Sequence, residues 1–216
     1  MGFIGKNGAG KTTTLKSCLG IIGIDCGEIF LDGISITKEP IACKKKMAYV
    51  PDAPRLDEYM TGIQYLNFIC DIYEIPYKER KKSIEKLSYE FQMEKHLKGL
   101  ISSYSHGMKQ KLALIAAFSH TPKLLILDEP FVGLDTEAFV TLKEQMSLLC
   151  DSGSSVLFSS HILDVVEKVC NKVALIKNGT LLFTGLTSNL SGVKGLEKVF
   201  MEMNSDYENG TDPLEK

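Results

Sequence analysis

The segment Gly5–Thr13, GKNGAGKTT, restricts the fold of this 216-residue chain more than any other. Four residues separate Gly5 from Gly10, and Lys11 and Thr12 follow directly. Glycines at these positions let several backbone N–H groups point at one centre, and the lysine adds a positive charge there. A loop of this kind follows a buried strand and leads into a helix. The pattern therefore predicts an α/β fold.

Strand and helix patterns alternate after the loop. Short apolar runs that predict strands, among them LLIL at Leu124–Leu127, are separated by stretches of helical periodicity. The pairs Asp32-Gly33 and Asn178-Gly179 are typical of hairpin turns. Strands that alternate with helices form a parallel sheet covered on both faces. We therefore predict a mostly parallel sheet flanked by helices.

A helical insert interrupts this alternation. Between Tyr59 and about Lys98, the segment GIQYLNFICDIYEI places apolar residues on one helical face, and a charged amphipathic stretch follows Pro76. We interpret residues 1–200 as one domain, with 1–55 and 108–190 as its core and 56–107 as a helical subdomain. Residues 201–216 are acidic and rich in turn formers, which predicts a disordered tail.

Composition excludes several classes of protein. The net charge of −2 provides no basic field, so we expect no nucleic-acid partner. The longest apolar runs are too short to cross a bilayer, and the N-terminus has no signal-peptide pattern. The six cysteines lack metal-ligand spacing, which agrees with a reducing compartment. These features predict a cytoplasmic protein.

The glycine-rich loop matches the Walker A pattern for binding nucleotide phosphates. The helix that starts at Lys11 adds its positive dipole end, and the Thr12 hydroxyl is a candidate ligand for Mg²⁺. The alternative is an ordinary glycine-rich turn before a helix. The candidate residues for binding ATP are Gly5, Lys6, Asn7, Gly8, Ala9, Gly10, Lys11, Thr12 and Thr13.

Two carboxylates follow the apolar run LLIL. In a parallel sheet, ligands collect at the carboxyl ends of strands, which is where Asp128 and Glu129 stand. Asp128 is a candidate Mg²⁺ ligand, and Glu129 is a candidate base that polarises a water for attack on the γ-phosphorus. The alternative is a solvated acidic turn that ends at Pro130.

The order of five segments resembles the nucleotide-binding subunits of ABC transporters. These are GKNGAGKTT, YSHGMKQK (Tyr104–Lys111), LLILDEP, GLD (Gly133–Asp135) and SSH (Ser159–His161). The resemblance covers roughly Gly2–Gly185. Within the family, the signature and the stretch YVPDAPRLDEYMTGIQYL look most like bacterial exporter ATPases of the multidrug and antibiotic-export kind.

The resemblance implies roles for four further residues. Ser105 and Gly107 occupy signature positions that contact the γ-phosphate bound by a second copy, although His106 replaces the first glycine of the family pair. Asp135 resembles the residue that communicates across the dimer. His161 matches the switch histidine that helps to position water, where the alternative is an ordinary surface histidine.

Two departures from the family pattern stand out. Asp52 follows YVP where the family usually has a glutamine that reaches Mg²⁺, and the shorter carboxylate still suits a metal ligand. Family members also carry roughly thirty residues before the loop, the length of a two- or three-strand layer. We expect this chain to lack that layer and its adenine-stacking aromatic residue. Such a loss weakens binding by about 1–3 kcal/mol, which is roughly ten- to hundredfold.

The resemblance implies a P-loop NTPase, RecA-like fold. It also implies an ATPase that uses ATP and Mg²⁺ to energise transport through a separate membrane-spanning permease. We expect a dimer of such subunits, held on the inner face of the membrane by that permease. One alternative is a soluble ABC ATPase without a transport role, although neither a second module nor a long coiled coil is present. The other is a degenerate module with little hydrolysis.

Overall fold

The structure is a computed structural model that describes residues 1–189. It divides into two compact units, one formed by Met1–Leu15 with residues 157–189, the other by Lys16–Val156. The predicted tail at 201–216 lies outside the described residues. The predicted bounds of the core and the helical subdomain stay predictions.

The described strands and helices alternate along the chain. The strands are β1 (Gly2–Ile4), β2 (Phe30–Leu31), β3 (Ile34–Ser35), β4 (Met47–Val50), β5 (Leu124–Asp128), β6 (Ser155–Ser160), β7 (Lys172–Lys177) and β8 (Thr180–Leu186). The helices are α1 (Lys11–Cys18), α2 (Pro40–Lys44), α3 (Gly62–Ile72), α4 (Tyr77–Glu90), α5 (His106–Ser119), α6 (Thr136–Asp151) and α7 (Leu163–Val169). Short 3₁₀ turns lie at Ile101–Ser103 and Thr187–Asn189.

The first unit is built around strand β1. It pairs in parallel with β6 on one side, where Ile4 is opposite Ser160, and with β7 on the other, where Ile4 is opposite Leu175. Strands β7 and β8 pair antiparallel through a two-residue turn. Asn178 and Gly179 both have positive φ there, at 49° and 80°, as a type I′ hairpin requires. The predicted hairpin is confirmed.

The second unit contains a parallel pair and a short hairpin. Strand β4 pairs in parallel with β5, with Val50 opposite Leu127. Strands β2 and β3 pair antiparallel across Asp32-Gly33, where both residues again have positive φ. With three parallel pairings and helices between them, the predicted α/β fold with a mostly parallel sheet is confirmed.

Helices α3 and α4 form in the predicted insert. Helix α3 begins with a capping box, in which the Thr61 side chain accepts from the Gln64 N–H and the Gln64 side chain accepts from the Thr61 N–H. The Tyr73 ring, at the end of α3, stacks on the His120 ring at the end of α5, with centroids 3.6 Å apart. Both rings also contact the Met47 carbonyl of β4, with Tyr73 donating its hydroxyl at 3.0 Å. These contacts join α3 and α5 to β4.

No helix within residues 1–189 combines the length and the apolar character needed to cross a membrane. Helix α5 is the most deeply buried of the described helices, with Leu112, Leu114 and Ile115 fully enclosed. Its length of 14 residues is too short for a membrane span.

Replacing Gly62 by alanine should destabilise the second unit by about 1–3 kcal/mol. Gly62 is buried at the first turn of α3, and an added Cβ would overlap the Tyr104 hydroxyl and lie 3.3 Å from Leu97 Cα. That hydroxyl is held by a 2.6 Å hydrogen bond to the His96 carbonyl, so it has little room to move. Urea unfolding measures the change.

Gly23→Ala is the matched control, because no atom lies within 4 Å of an added Cβ there. Equal unfolding free energies for the two variants would contradict this packing account.

Candidate functional site

The phosphate loop leaves the carboxyl end of β1 and turns into α1 within the first unit. Gly8 and Gly10 have φ of 81° and 103°, conformations that glycine adopts without steric cost. The turn closes through a hydrogen bond from the Ala9 N–H to the Lys6 carbonyl at 3.1 Å. Thr14 then donates its N–H to the Gly10 carbonyl at 2.9 Å, which starts the helix. The nine predicted loop residues therefore lie in one continuous strand–turn–helix segment.

Strand β7 and its hairpin hold the loop from one side. An added Cβ at Gly5 would lie 2.6 Å from the Ile176 carbonyl oxygen, so only glycine fits between the loop and β7. The Gly179 N–H donates to the Ala9 carbonyl at 2.9 Å. The loop is thus fixed by backbone contacts that no side-chain motif reveals.

The Lys11 ammonium group lies over the loop. The lysine is only 7% exposed, and its Nζ donates to the Gly5 carbonyl at 2.8 Å and to the Lys6 carbonyl at 3.4 Å. A buried ammonium group needs hydrogen-bond acceptors of this kind to offset its lost hydration. These contacts keep the positive charge inside the loop that the sequence assigned to phosphates.

His161 stands at the edge of the sheet from which the loop emerges. Because Ile4 pairs with Ser160, Gly5 and His161 each follow the carboxyl end of one of two adjacent parallel strands. His161 is exposed, whereas Ser160 before it is buried and accepts from the Ile162 N–H at 3.0 Å. The register therefore brings the predicted switch histidine and the predicted phosphate loop to the same edge.

The acidic pair ends strand β5 in the second unit. Asp128 is the last strand residue and is 1% exposed. Glu129 is half-buried and has φ of +48°, a left-handed conformation that is uncommon for a residue with a side chain. Strained backbone at such a position is typical of functional sites. Both carboxylates lie where the sequence predicted them.

The charges of Asp52 and Asp128 both affect the pKa of Tyr49 in strand β4. Burial, followed by the negative charges of Asp128 and Asp52, raises the pKa of Tyr49 to about 12. The Asp52 carboxylate accepts from the Ala53 N–H at 2.8 Å, so it caps its own turn. Sequence reasoning missed Tyr49, although its place three residues before Asp52 in a predicted strand was a signal.

The predicted signature begins helix α5 as an ordinary capped helix. The Ser105 hydroxyl accepts from the Met108 N–H at 3.3 Å, and the helix starts at His106. An added Cβ at Gly107 would approach the Gly133 carbonyl oxygen to 3.1 Å, and one at Gly133 would approach the His106 ring to 3.0 Å. The start of α5 therefore packs closely against the segment Gly133–Asp135.

Asp135 has two roles within its own chain that the sequence did not indicate. It is the N-cap of α6, where its carboxylate accepts from the Ala138 N–H at 2.8 Å. It also forms an ion pair with Lys111 of α5 at 2.7 Å. The hydrogen bond from Lys111, supported by that from Ala138, lowers the pKa of the Asp135 carboxyl. Lys111 is the last residue of the quoted segment YSHGMKQK, but nothing in the sequence indicated that it pairs with Asp135.

The donors fit Mg²⁺. The Thr12 hydroxyl and the Asp128 and Asp52 carboxylates are hard oxygen ligands, the kind this ion prefers. Among residues 1–189 no group of three or more acidic, histidine or cysteine side chains could enclose a metal by itself.

Comparison with known proteins agrees with this arrangement. The family model described as ABC transporter matches residues 1–132. The ABC-type transporter ATP-binding protein EcsA of Bacillus subtilis (strain 168) is 35% identical over 211 residues, which cover 95% of this chain and 85% of EcsA. The linearmycin resistance ATP-binding protein LnrL of the same organism is 32% identical over 211 residues, covering 93% of this chain and 68% of LnrL.

A solved structure described as the ATP binding subunit of an ABC transporter superposes with a TM-score of 0.90. It is 31% identical and covers 94% of this chain and 87% of its own. A fold with this phosphate loop and this acidic strand end defines a P-loop ATPase. The chain belongs to the ABC transporter family, as an ATP-binding subunit that hydrolyses ATP. The expected loss of an N-terminal layer stays a prediction.

Two replacements of Asp135 should separate its cap from its ion pair. Asp135→Asn keeps a capping oxygen, whereas Asp135→Ala also loses the cap and should cost about 1 kcal/mol more in unfolding free energy. The lowered pKa means that the ion pair stabilises above about pH 4 and that its contribution is lost as the pH falls further. Urea unfolding of native protein and both variants at pH 7 and pH 3 measures these differences.

Equal stabilities of the Asn and Ala variants at pH 7 would rule out the cap. A stability gap between native protein and Asp135→Asn that widens toward pH 3 would contradict the sign of the pKa shift.

Proposed function

We propose that this subunit hydrolyses Mg²⁺-ATP between two copies and thereby drives a separate membrane-spanning permease. The observation that carries the proposal is the Lys11 ammonium group, which is buried in the loop and donates to the backbone carbonyls of Gly5 and Lys6. Carbonyl oxygens are weaker partners for an ammonium group than the charged oxygens of a triphosphate. Lys11 is therefore ready to exchange them for the β- and γ-phosphates.

Phosphate binding would use the loop as the structure folds it. The residues from Gly5 to Thr13 would offer backbone N–H groups, and the positive end of helix α1 would face the phosphates. The contacts of Ile176 and Gly179 with the loop keep this shape before nucleotide arrives. Because the loop is already ordered, binding does not need to spend free energy on ordering it.

Thr12 and Asp128 would hold Mg²⁺, and Asp52 would contribute a further oxygen directly or through water. When bound, the ion neutralises charge on the β- and γ-phosphates. The turn that Asp52 caps by accepting from the Ala53 N–H limits how far its short carboxylate can reach. Asp52 is therefore the weakest of the three proposed ligands.

Glu129 and His161 would perform the remaining chemistry. Glu129 would accept a proton from the attacking water, while His161 would hold that water and the γ-phosphate in line. Asp128 ends the strand and Glu129 has a left-handed backbone, so the two neighbouring carboxylates stand in different backbone settings and can serve two purposes.

A second copy would complete each site. Ser105 and Gly107 lie at the start of α5, where the positive end of the helix dipole attracts an anion. We propose that they bind the γ-phosphate held by the opposite copy, so that hydrolysis releases the two copies from each other. No nucleic acid is needed for this cycle.

The permease would dock on the helical insert at residues 56–107, next to the turn that holds Asp52. The subunit would then lie on the cytoplasmic face of the membrane. The resemblance to exporter ATPases, together with a relative named for linearmycin resistance, favours export over import. The core at 1–55 and 108–190 would carry the nucleotide.

Glu129→Gln should lower the rate of phosphate release by about 10²–10⁴-fold, because the amide cannot take the proton from water. ATP binding should stay within twofold of the native value, since the phosphate loop is untouched. Phosphate release and nucleotide titration of the purified subunit measure both quantities.

Glu144→Gln is the control, because it makes the same change at an exposed position of α6. Near-zero release by native protein and Glu129→Gln alike would favour a degenerate nucleotide-binding module. If native protein releases phosphate and Glu129→Gln releases it at the same rate, another group is the base.

A further inference from the structure

Two lysines of helix α5 form ion pairs on opposite sides of the helix. Lys109 Nζ lies 2.5 Å from a Glu58 carboxylate oxygen, and Lys111 Nζ lies 2.7 Å from an Asp135 carboxylate oxygen. Residues two apart in an α-helix point about 200° from each other. The two ion pairs therefore hold the first turns of α5 from both sides. We call this pair of ion pairs the α5 clamp.

The Glu58 side of the clamp is anchored to the chain that leads into α5. The Glu58 carbonyl accepts from the Ser102 N–H at 3.2 Å, and the Met60 carbonyl accepts from the Ile101 N–H at 2.9 Å. Lys109 closes this connection by reaching back to the Glu58 carboxylate. Next to Glu58, the Tyr59 side chain is 95% exposed. The clamp thus ties a solvent-facing segment to the helix.

The Asp135 side of the clamp is anchored to the segment that follows Asp128 and Glu129. Asp135 is fixed as the N-cap of α6 while it also holds Lys111. Gly133, two residues earlier, lies against the His106 ring at the start of α5. A change in the position of this segment would therefore reach the first turn of α5.

Charge gives a reason for this arrangement. Helix α5 has no acidic residue in its first turn, and basic residues near a helix N-terminus are unfavourable for the helix itself. Acids on α5 itself would relieve that cost but would repel a phosphate. Glu58 and Asp135 balance the lysines from neighbouring segments, which leaves the N-terminus of the helix positive.

Gln110, between the two lysines, does not anchor the helix by polar contacts. It is fully buried, and its amide nitrogen and oxygen find no hydrogen-bond partner within residues 1–189. A slight rotation of these turns therefore breaks no hydrogen bond of Gln110. Lys109 and Lys111 supply the side-chain ion pairs that resist such a rotation.

We propose that Lys109 and Lys111 are positioning residues, which fix the rotation of the first turns of α5 and so aim the N–H groups at Ser105 and Gly107. This inference rests on the proposed function, in which those groups bind the γ-phosphate of a second copy. Neither lysine touches nucleotide in this account. Their effect passes through the orientation of the helix.

Charge reversal tests the clamp. Lys109→Glu and Glu58→Lys each place like charges together, and the double variant restores an ion pair with its signs exchanged. Exposed ion pairs have small effects individually, so we expect each single variant to lower kcat about three- to fivefold. Hydrogen–deuterium exchange of residues 104–112 should rise by a similar factor, while ATP affinity stays within twofold. The double variant should return both quantities to within twofold of native.

Lys45→Glu is the matched control, because it breaks an exposed ion pair of 2.8 Å with Glu74, which neither Lys109 nor Lys111 shares. It should change neither the exchange of residues 104–112 nor kcat. Asp135→Asn tests the other side, since it removes the charge but keeps a capping oxygen, and it should act like Lys109→Glu. Melting temperatures check that no variant unfolds.

The inference would be overturned if residues 104–112 of both single variants exchanged hydrogen for deuterium at the rate of the native protein. Faster exchange with an unchanged kcat would overturn it as well. So would a double variant whose exchange and kcat differ from the native values as much as those of the single variants. Native protein that releases no phosphate would instead contradict the proposed function, and the exchange results would still decide whether the clamp exists.

Discussion

The contact between the Lys11 ammonium group and the carbonyls of Gly5 and Lys6 is the interaction on which the site depends. It keeps a positive charge buried inside the loop at a distance of 2.8 Å from the nearer oxygen. The loop can hold this charge because β1 and β7 fix its backbone and because only glycine fits at position 5. The end of β1, the glycine-rich turn and the start of α1 thus together place the Lys11 ammonium group where an anionic ligand can bind it.

Local sequence predicted the parts of the fold that depend on local rules. The turns at Asp32-Gly33 and Asn178-Gly179 formed as expected, because both residues of such a turn need positive φ. The phosphate loop and the acidic end of β5 were also predicted, since each is a short segment with a fixed place relative to a strand. The matching family model covers residues 1–132, a range that contains both the phosphate loop and the acidic end of β5.

The sequence did not predict contacts that only the tertiary structure creates. Lys111 and Asp135 are 24 positions apart, and Lys109 and Glu58 are 51 apart, so no periodic pattern links them. Tyr49 and Asp52 are close in the sequence, but the charge of Asp128 reaches Tyr49 because β4 pairs with β5. The physical reason is the same in each case: electrostatic partners are chosen by proximity in space, and many pairings are compatible with one sequence.

Affinity measured against the number of phosphates tests the central claim most directly. Titration calorimetry of the subunit with ATP, ADP and AMP, each with and without Mg²⁺, isolates the contribution of the loop and of Lys11. If the loop is a phosphate cradle, affinity should fall by at least about tenfold, or 1.4 kcal/mol, from ATP to AMP. Equal affinity for ATP and AMP would contradict the account, because the base and sugar would then supply the binding.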